Sequence, residues 1–374
     1  MRIAKRSTIA ATEATLAEVE AFDAPLVLPS NLLHTGIGAE AALVQAILTW
    51  ARRSSAKVET WADSEEQATE LVRKLPGLVA GLSGHAIEDS KGHDRTAAVR
   101  AVAIERLDLL QGIRPQDAYR GQTVEVVCAD HLGLGTPYLL YTPDPRGGHR
   151  LRTRENFRSL AAWLLTRILR RTYRAHFDAQ ADEALGAMLY EVFKNTEEHA
   201  LHDHAGDLLP LSVRVLSAKH HSSSPDDFDR ITQGFGPLQS YCRSLEPPSG
   251  GTHAHLFELS VIDAGPGFAS SWTRTSTETL TLKEEEKAVR DCFGVGSTKG
   301  AERFGQGLPH VLRLLERQKG FLRLRTGRLS FFVDFASENP MDGRSLQRHD
   351  PPDGQGWSLV AGSLLTLLVP MRRP

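Results

Sequence analysis

The sequence predicts an α+β protein: a C-terminal sandwich, with a mixed sheet covered on one face by helices, preceded by a small α/β module. Three observations carry this expectation. Strand-like and helix-like segments alternate over residues 24–82, long helical patterns fill the middle of the chain, and the last part closes in short apolar runs separated by turns. The Pro/Gly cluster Pro143–Gly148 marks a boundary. It separates residues 1–148, an α/β module without an assigned role, from residues 149–374.

Residues 24–30 form a short apolar run between prolines and read as a strand, and Glu40–Arg53 carries Leu43, Ile47 and Trp50 at helical spacing. Lys57–Trp61 reads as a second strand. Ser64–Leu82 reads as a second helix, opened by Ser64 as its cap with Glu66 in the first turn. Such an order suits a small unit with parallel strands. Gln122–Ala129 and Pro137–Thr142 look like two further strands, and no constellation with chemical potential stands in this half.

Beyond the boundary, Thr153–Ala175 is a helix rich in Leu, Ala and Arg. Its basic residues, Arg158, Arg167, Arg170, Arg171 and Arg174, suit a solvated or interdomain face better than a nucleic-acid surface. Asp178–Ala205 makes another helix and Leu211–Ala218 a strand. A polar stretch (His220–Asp229) and a Pro/Gly/Ser loop (Pro247–Thr252) precede the strand Leu256–Asp263. Leu308–Gln318 is the last helix, and the chain finishes in strands at Phe321–Arg325, Leu329–Phe335 and Ser363–Val369.

Composition excludes several classes. Of 374 residues, 41% are hydrophobic and 24% charged, as in ordinary globular proteins, and a formal charge of −2 argues against a bulk polycation for nucleic acid. No apolar run reaches the ~18 residues that a membrane span requires. The basic start Met1–Arg6 is followed by Thr and Glu rather than an apolar core, so it does not read as a secretory signal. Cys128, Cys242 and Cys292 are odd in number and far apart, which suits reduced thiols in a cytoplasmic protein. His199, His202, His204, His220, His221, His253 and His255 lie near one another in sequence, but their spacing matches no zinc pattern.

Three stretches carry chemical potential. In Glu191–Ala200, Glu191, Asn195 and His199 are four apart and share one helical face. An Asn oxygen is a hard ligand suited to Mg²⁺, and a carboxylate one turn earlier can activate a nucleophile near a phosphate. In Leu259–Phe268 an apolar strand runs into Asp263-x-Gly265-x-Gly267. A carboxylate at a buried strand end can accept a hydrogen bond from an exocyclic amine such as adenine N6, while the glycines permit a sharp turn and close approach. In residues 294–308, Gly294-Val295-Gly296-Ser297-Thr298-Lys299-Gly300 and then Gly305-Gln306-Gly307-Leu308 precede a helix. That arrangement offers backbone N–H groups and one positive charge to phosphate oxygens.

In this order the stretches resemble the GHKL superfamily of gyrase-type topoisomerases, heat-shock chaperones, histidine kinases and mismatch-repair ATPases. Glu191-x-x-x-Asn195 looks like the N box, Asp263-x-Gly265-x-Gly267 the G1 box, and Gly305-Gln306-Gly307-Leu308 the G2 box. The terminal Gly362-Ser363 strand is similar to the family's Gly-Thr strand, with Thr366 as an expected base contact. The resemblance implies a Bergerat ATP-binding fold over 149–374, with an insertion at about 219–254 and a lid at about 269–304. It also implies ATP and Mg²⁺ as cofactors, Asn195 on the metal, Asp263 on the adenine amine, Lys299 on the terminal phosphate and Glu191 as the catalytic base. Locally the N box is most similar to that of the anti-sigma-factor serine kinases. No phospho-accepting histidine in the setting of a sensor kinase is present. The resulting expectation is an ATP-hydrolysing switch that signals to a protein partner or to residues 1–148. A serine/threonine kinase and a non-catalytic ATP-binding scaffold are the alternatives, and homodimerisation stays open. Neither nucleic acid nor membrane is indicated as a partner.

Overall fold

A computed structural model describes residues 1–374 except 22, 23, 31, 35, 118, 120, 170–173, 175–178, 233, 248–250, 295–306, 337–345 and 372–374. Its strands are β1 (Arg6–Ser7), β2 (Leu26–Val27), β3 (Leu33–His34), β4 (Val58–Thr60), β5 (Ile87–Asp89), β6 (Thr123–Ala129), β7 (Tyr141–Pro143), β8 (His149–Leu151), β9 (Val213–Ser223), β10 (Ala254–Asp263), β11 (Phe321–Gly327), β12 (Leu329–Asp334), β13 (Gln347–Arg348) and β14 (Val360–Pro370). The first helices are α1 (Ile9–Ala21), α2 (Ala39–Arg53), α3 (Glu65–Val72), α4 (Leu75–Ser83) and α5 (Thr96–Gln111). Then follow α6 (Arg154–Ile168), α7 (Ala179–His199), α8 (Pro225–Ile231), α9 (Gly236–Arg243), α10 (Phe268–Thr273), α11 (Leu282–Phe293) and α12 (Gly307–Arg317).

The architecture is an α+β sandwich. A small parallel sheet, in the order β2-β4-β5, is built from the alternating N-terminal strands and helices. Where one helix was expected over Ser64–Leu82 there are two, because Pro76 lacks the N–H a helix interior needs and sits in the first turn of α4 instead. Ser64 caps α3 as the sequence suggests, its hydroxyl accepting from the Gln67 N–H at 3.3 Å.

The main sheet has the order β13-β12-β11-β14-β10-β9-β6, and every pairing in it is antiparallel. It therefore differs from the mixed sheet expected. It is also covered on both faces rather than one. On one side lie α6, α7 and α12; on the other, α2 donates from Gln45 Nε2 to the Arg325 carbonyl at 3.1 Å, and the Gly38 N–H reaches the Glu258 carboxylate at 3.0 Å. The central strand β10 is buried along its whole length, as double coverage demands.

The boundary at Pro143–Gly148 does not divide this sheet. Strand β6, from the N-terminal half, pairs with β9 from Thr123↔Lys219 to Ala129↔Val213. One apolar core accordingly runs from Leu26 and Leu43 through Val126 to Leu189, Ile262 and Leu365. Among the described residues no helix is long and apolar enough to cross a membrane.

Candidate nucleotide-binding site

Helix α7 sets one wall of the site. It packs on α6, whose start is fixed by a reciprocal cap between Thr153 and Asn156. The four-residue spacing of Glu191, Asn195 and His199 brings all three to a cavity of ≈ 390 Å³. The opposite wall is the odd-numbered face of β10 and β14, with Val261 and Asp263 beside Leu365 and Ser363.

Asp263 ends β10 with its side chain buried. One carboxylate oxygen accepts the Gly265 N–H at 2.8 Å and the other accepts the Ser363 hydroxyl. Burial pushes its pKa up, while those two hydrogen bonds and the charge of Arg214 oppose the rise. The turn that follows needs its glycines. Gly267 holds φ at +84°, and a Cβ there would lie 2.9 Å from the Thr326 hydroxyl. Gly265 stands behind the wall rather than on it, where a Cβ would come within 2.7 Å of Ala200 Cα.

The far end is formed by the start of α12. Gly307 and Leu308 line the cavity, and a Cβ on Gly307 would lie 2.6 Å from a Glu191 carboxylate oxygen. Ala200 thus marks the end near Asp263 and Glu191 the end near α12. A rise of about 1.5 Å per residue along α7 separates them by about 13 Å. Between them, Asn195 Nδ2 is buried with no hydrogen-bond partner among the described residues. Such an atom costs stability unless a ligand or water meets it. No family model, curated protein or solved structure matches the chain.

Not every expected residue falls in place. Thr366 points to the opposite face of the sheet, its hydroxyl 3.0 Å from that of Ser260 and facing the start of α2. It cannot touch a base in the cavity, because Ser363 and Thr366 are an odd number of residues apart on a strand and so face opposite ways. Lys299 and Gly305 lie outside the described residues, as do Ser297, Thr298 and Gln306. The clustered histidines have structural surroundings. The rings of His220 and His255 stack at 5.3 Å, and His221 Nε2 lies 2.7 Å from Glu258. Among the described residues no group of three or more His, Cys, Asp or Glu could hold a metal ion.

Other residues reach the site without a signal in the sequence reading. Arg52, in the last turn of α2, donates to the carbonyls of Ala264 at 2.7 Å and Gly265 at 2.6 Å, holding the glycine turn from behind. Phe268 and Trp272 of α10 bring aromatic surface to the cavity. Beneath the end of α7, the buried Arg214 donates to Asp130 at 2.9 and 2.7 Å and also to Glu197, which takes the Tyr141 hydroxyl as well. Replacing Arg214 with Met should leave two partly buried carboxylates without their cation, at a cost of about 2–4 kcal/mol. Urea denaturation reads this directly, and a loss below about 1 kcal/mol would refute a supporting role for the network.

Proposed function

We propose that the chain is a Mg-ATP-binding protein of the GHKL type, an ATP-hydrolysing switch whose signal passes between the cavity and the N-terminal helices. The reading rests on one observation. Three stretches far apart in sequence, carrying Glu191 and Asn195, Asp263 and Gly267, and Gly307 and Leu308, line one cavity. The residues fit the ligand. Asp263 is a buried acceptor for the adenine amine, the unpartnered Asn195 Nδ2 is a donor for a phosphate oxygen while its Oδ1 would hold Mg²⁺, and Gly307 and Leu308 at the start of α12 border the same cavity.

When bound, ATP would supply an electrophilic terminal phosphate whose charge Mg²⁺ neutralises. The chain's own contribution is positional. Glu191 takes the proton of the attacking water, Asp263 fixes the base, and Phe268 and Trp272 exclude solvent from the apolar side. A route for the signal is built in, since adjacent residues of α2 serve two parts of the site. Arg52 holds the glycine turn, and Arg53 lies 3.7 Å from Glu278 in the segment leading to α11.

Equilibrium titration of labelled ATP against the full chain tests the proposal. Saturable binding that weakens at least about tenfold when Mg²⁺ is chelated is the expected result, equivalent to about 1.4 kcal/mol. Absence of saturable binding in excess Mg²⁺ would remove the nucleotide reading.

A further inference from the structure

A second cavity, of ≈ 380 Å³, lies on the other face of the main sheet, between α1, the strands β11 and β12, and residues 349–358. Its floor holds two buried guanidiniums, Arg323 and Arg325, whose one salt-bridged carboxylate among the described residues is Glu13. Glu285 also lies within electrostatic reach of Arg325, whereas the charges that bear on Arg323 are those of Glu13 and Arg325. Arg325 takes most of it, with bonds to Glu13 at 3.0 and 3.2 Å, and it is further satisfied by the carbonyls of Gly327 at 2.6 Å and Ser358 at 2.5 Å.

Arg323 is left short. It is 2% exposed and reaches Glu13 only at 3.3 Å, and its Nε and Nη1 have no partner among the described residues. Its guanidinium instead lies over the Phe235 ring at 5.3 Å. Burial pushes its pKa down to about 10, still far above neutrality, so the charge persists. Ser330 Oγ and His349 Nδ1, both on residues of the same cavity, are likewise buried without partners among the described residues. Water could satisfy donors, but it cannot neutralise a buried cation; an anion does both.

The remaining walls are apolar. Ala10, Ala14 and Ala17 present one face of α1, and Trp357 stacks on His349 with ring centroids 5.4 Å apart. Among the described residues the only acidic lining residue besides Glu13 is Asp353, which is exposed.

We propose that this cavity is a second binding site, separate from the one bounded by α7 and β10, for a small organic anion. The acidic group, a carboxylate or a phosphate monoester, pairs with Arg323, and the apolar body lies between the alanine face of α1 and Trp357. An anion there completes the partners of Arg323.

Isothermal titration of the full chain with benzoate, phenyl phosphate and neutral benzyl alcohol tests this. At least one anion should bind about tenfold or more tightly than the alcohol, the margin expected of a charge-assisted pair. Which anion wins separates carboxylate from phosphate ligands. Arg323→Met should erase the margin, and Asp263→Ala should leave it intact. Ala14→Phe fills the cavity with every charge in place, so it should abolish binding even if Arg323→Met fails to fold. Equal affinity of the wild type for the anions and the alcohol would overturn the proposal. So would anion binding that survives in Ala14→Phe or disappears in Asp263→Ala.

Discussion

Asp263→Ala is expected to weaken ATP binding by about 100-fold or more while the protein stays folded. The carboxylate is buried at the end of β10 and is the acidic acceptor on that side of the cavity. A base amine that loses its acceptor in a closed site cannot recover the bond from water, and sites built on such a bond discriminate strongly. The substitution also frees the Gly265 N–H and the Ser363 hydroxyl, which both donate to Asp263, so the glycine turn loosens as well. Stability should change less than binding, since burial already disfavours the charged carboxylate and its removal recovers part of that cost. Labelled-ATP titration of the variant, paired with its thermal melt, separates the two effects. An affinity within about threefold of wild type would detach Asp263 from the base.

The second large effect concerns turnover. Glu191→Gln keeps the shape and polarity of the side chain, so ATP affinity should stay within about threefold. Phosphate release should fall by about 10²–10⁴, the usual worth of a general base. The geometry favours this split. The Glu191 carboxylate sits against Gly307, at the start of α12, the end of the cavity away from Asp263. Single-turnover phosphate release with saturating Mg-ATP is the measurement. Unchanged release would take the base role from Glu191, whereas a wild type that binds ATP and releases no phosphate would point to phosphotransfer or to a scaffold.

Local patterns made the fold class readable, and they picked out most of the residues that line the candidate cavity. The spacing of Glu191 and Asn195 needs only a helix to place both on one face, and Val261 and Asp263 need only a strand. The same logic, carried one step further, rules out Thr366. Once Ser363 is matched to Asp263, alternation along β14 must turn Thr366 away. Helix α5 was also within reach, since Val99, Ala103, Leu107 and Leu110 repeat at helical spacing. Arg52 was not. Its partners are the carbonyls of Ala264 and Gly265, far along the chain, and an arginine in the last turn of a helix is unremarkable in itself. The membership of β6 in the main sheet is hidden for a similar reason, because strand pairing across 84 to 96 residues leaves no trace in a local window. The second covering layer was hidden too: Phe257-Glu258-Leu259-Ser260-Val261 alternates like a strand with one solvated face, yet all of β10 is buried.

That shared sheet has a practical consequence for anyone wishing to excise residues 149–374. A fragment beginning at residue 149 would lose β6 and bare the backbone edge of β9 to solvent. It would also lose α2, uncovering Glu258, Ser260 and the apolar side chains around them. Such a piece should aggregate when expressed alone and recover when residues 1–148 are supplied in trans, which sedimentation of the two preparations would reveal. One sheet and one apolar core thus join residues from both sides of position 148.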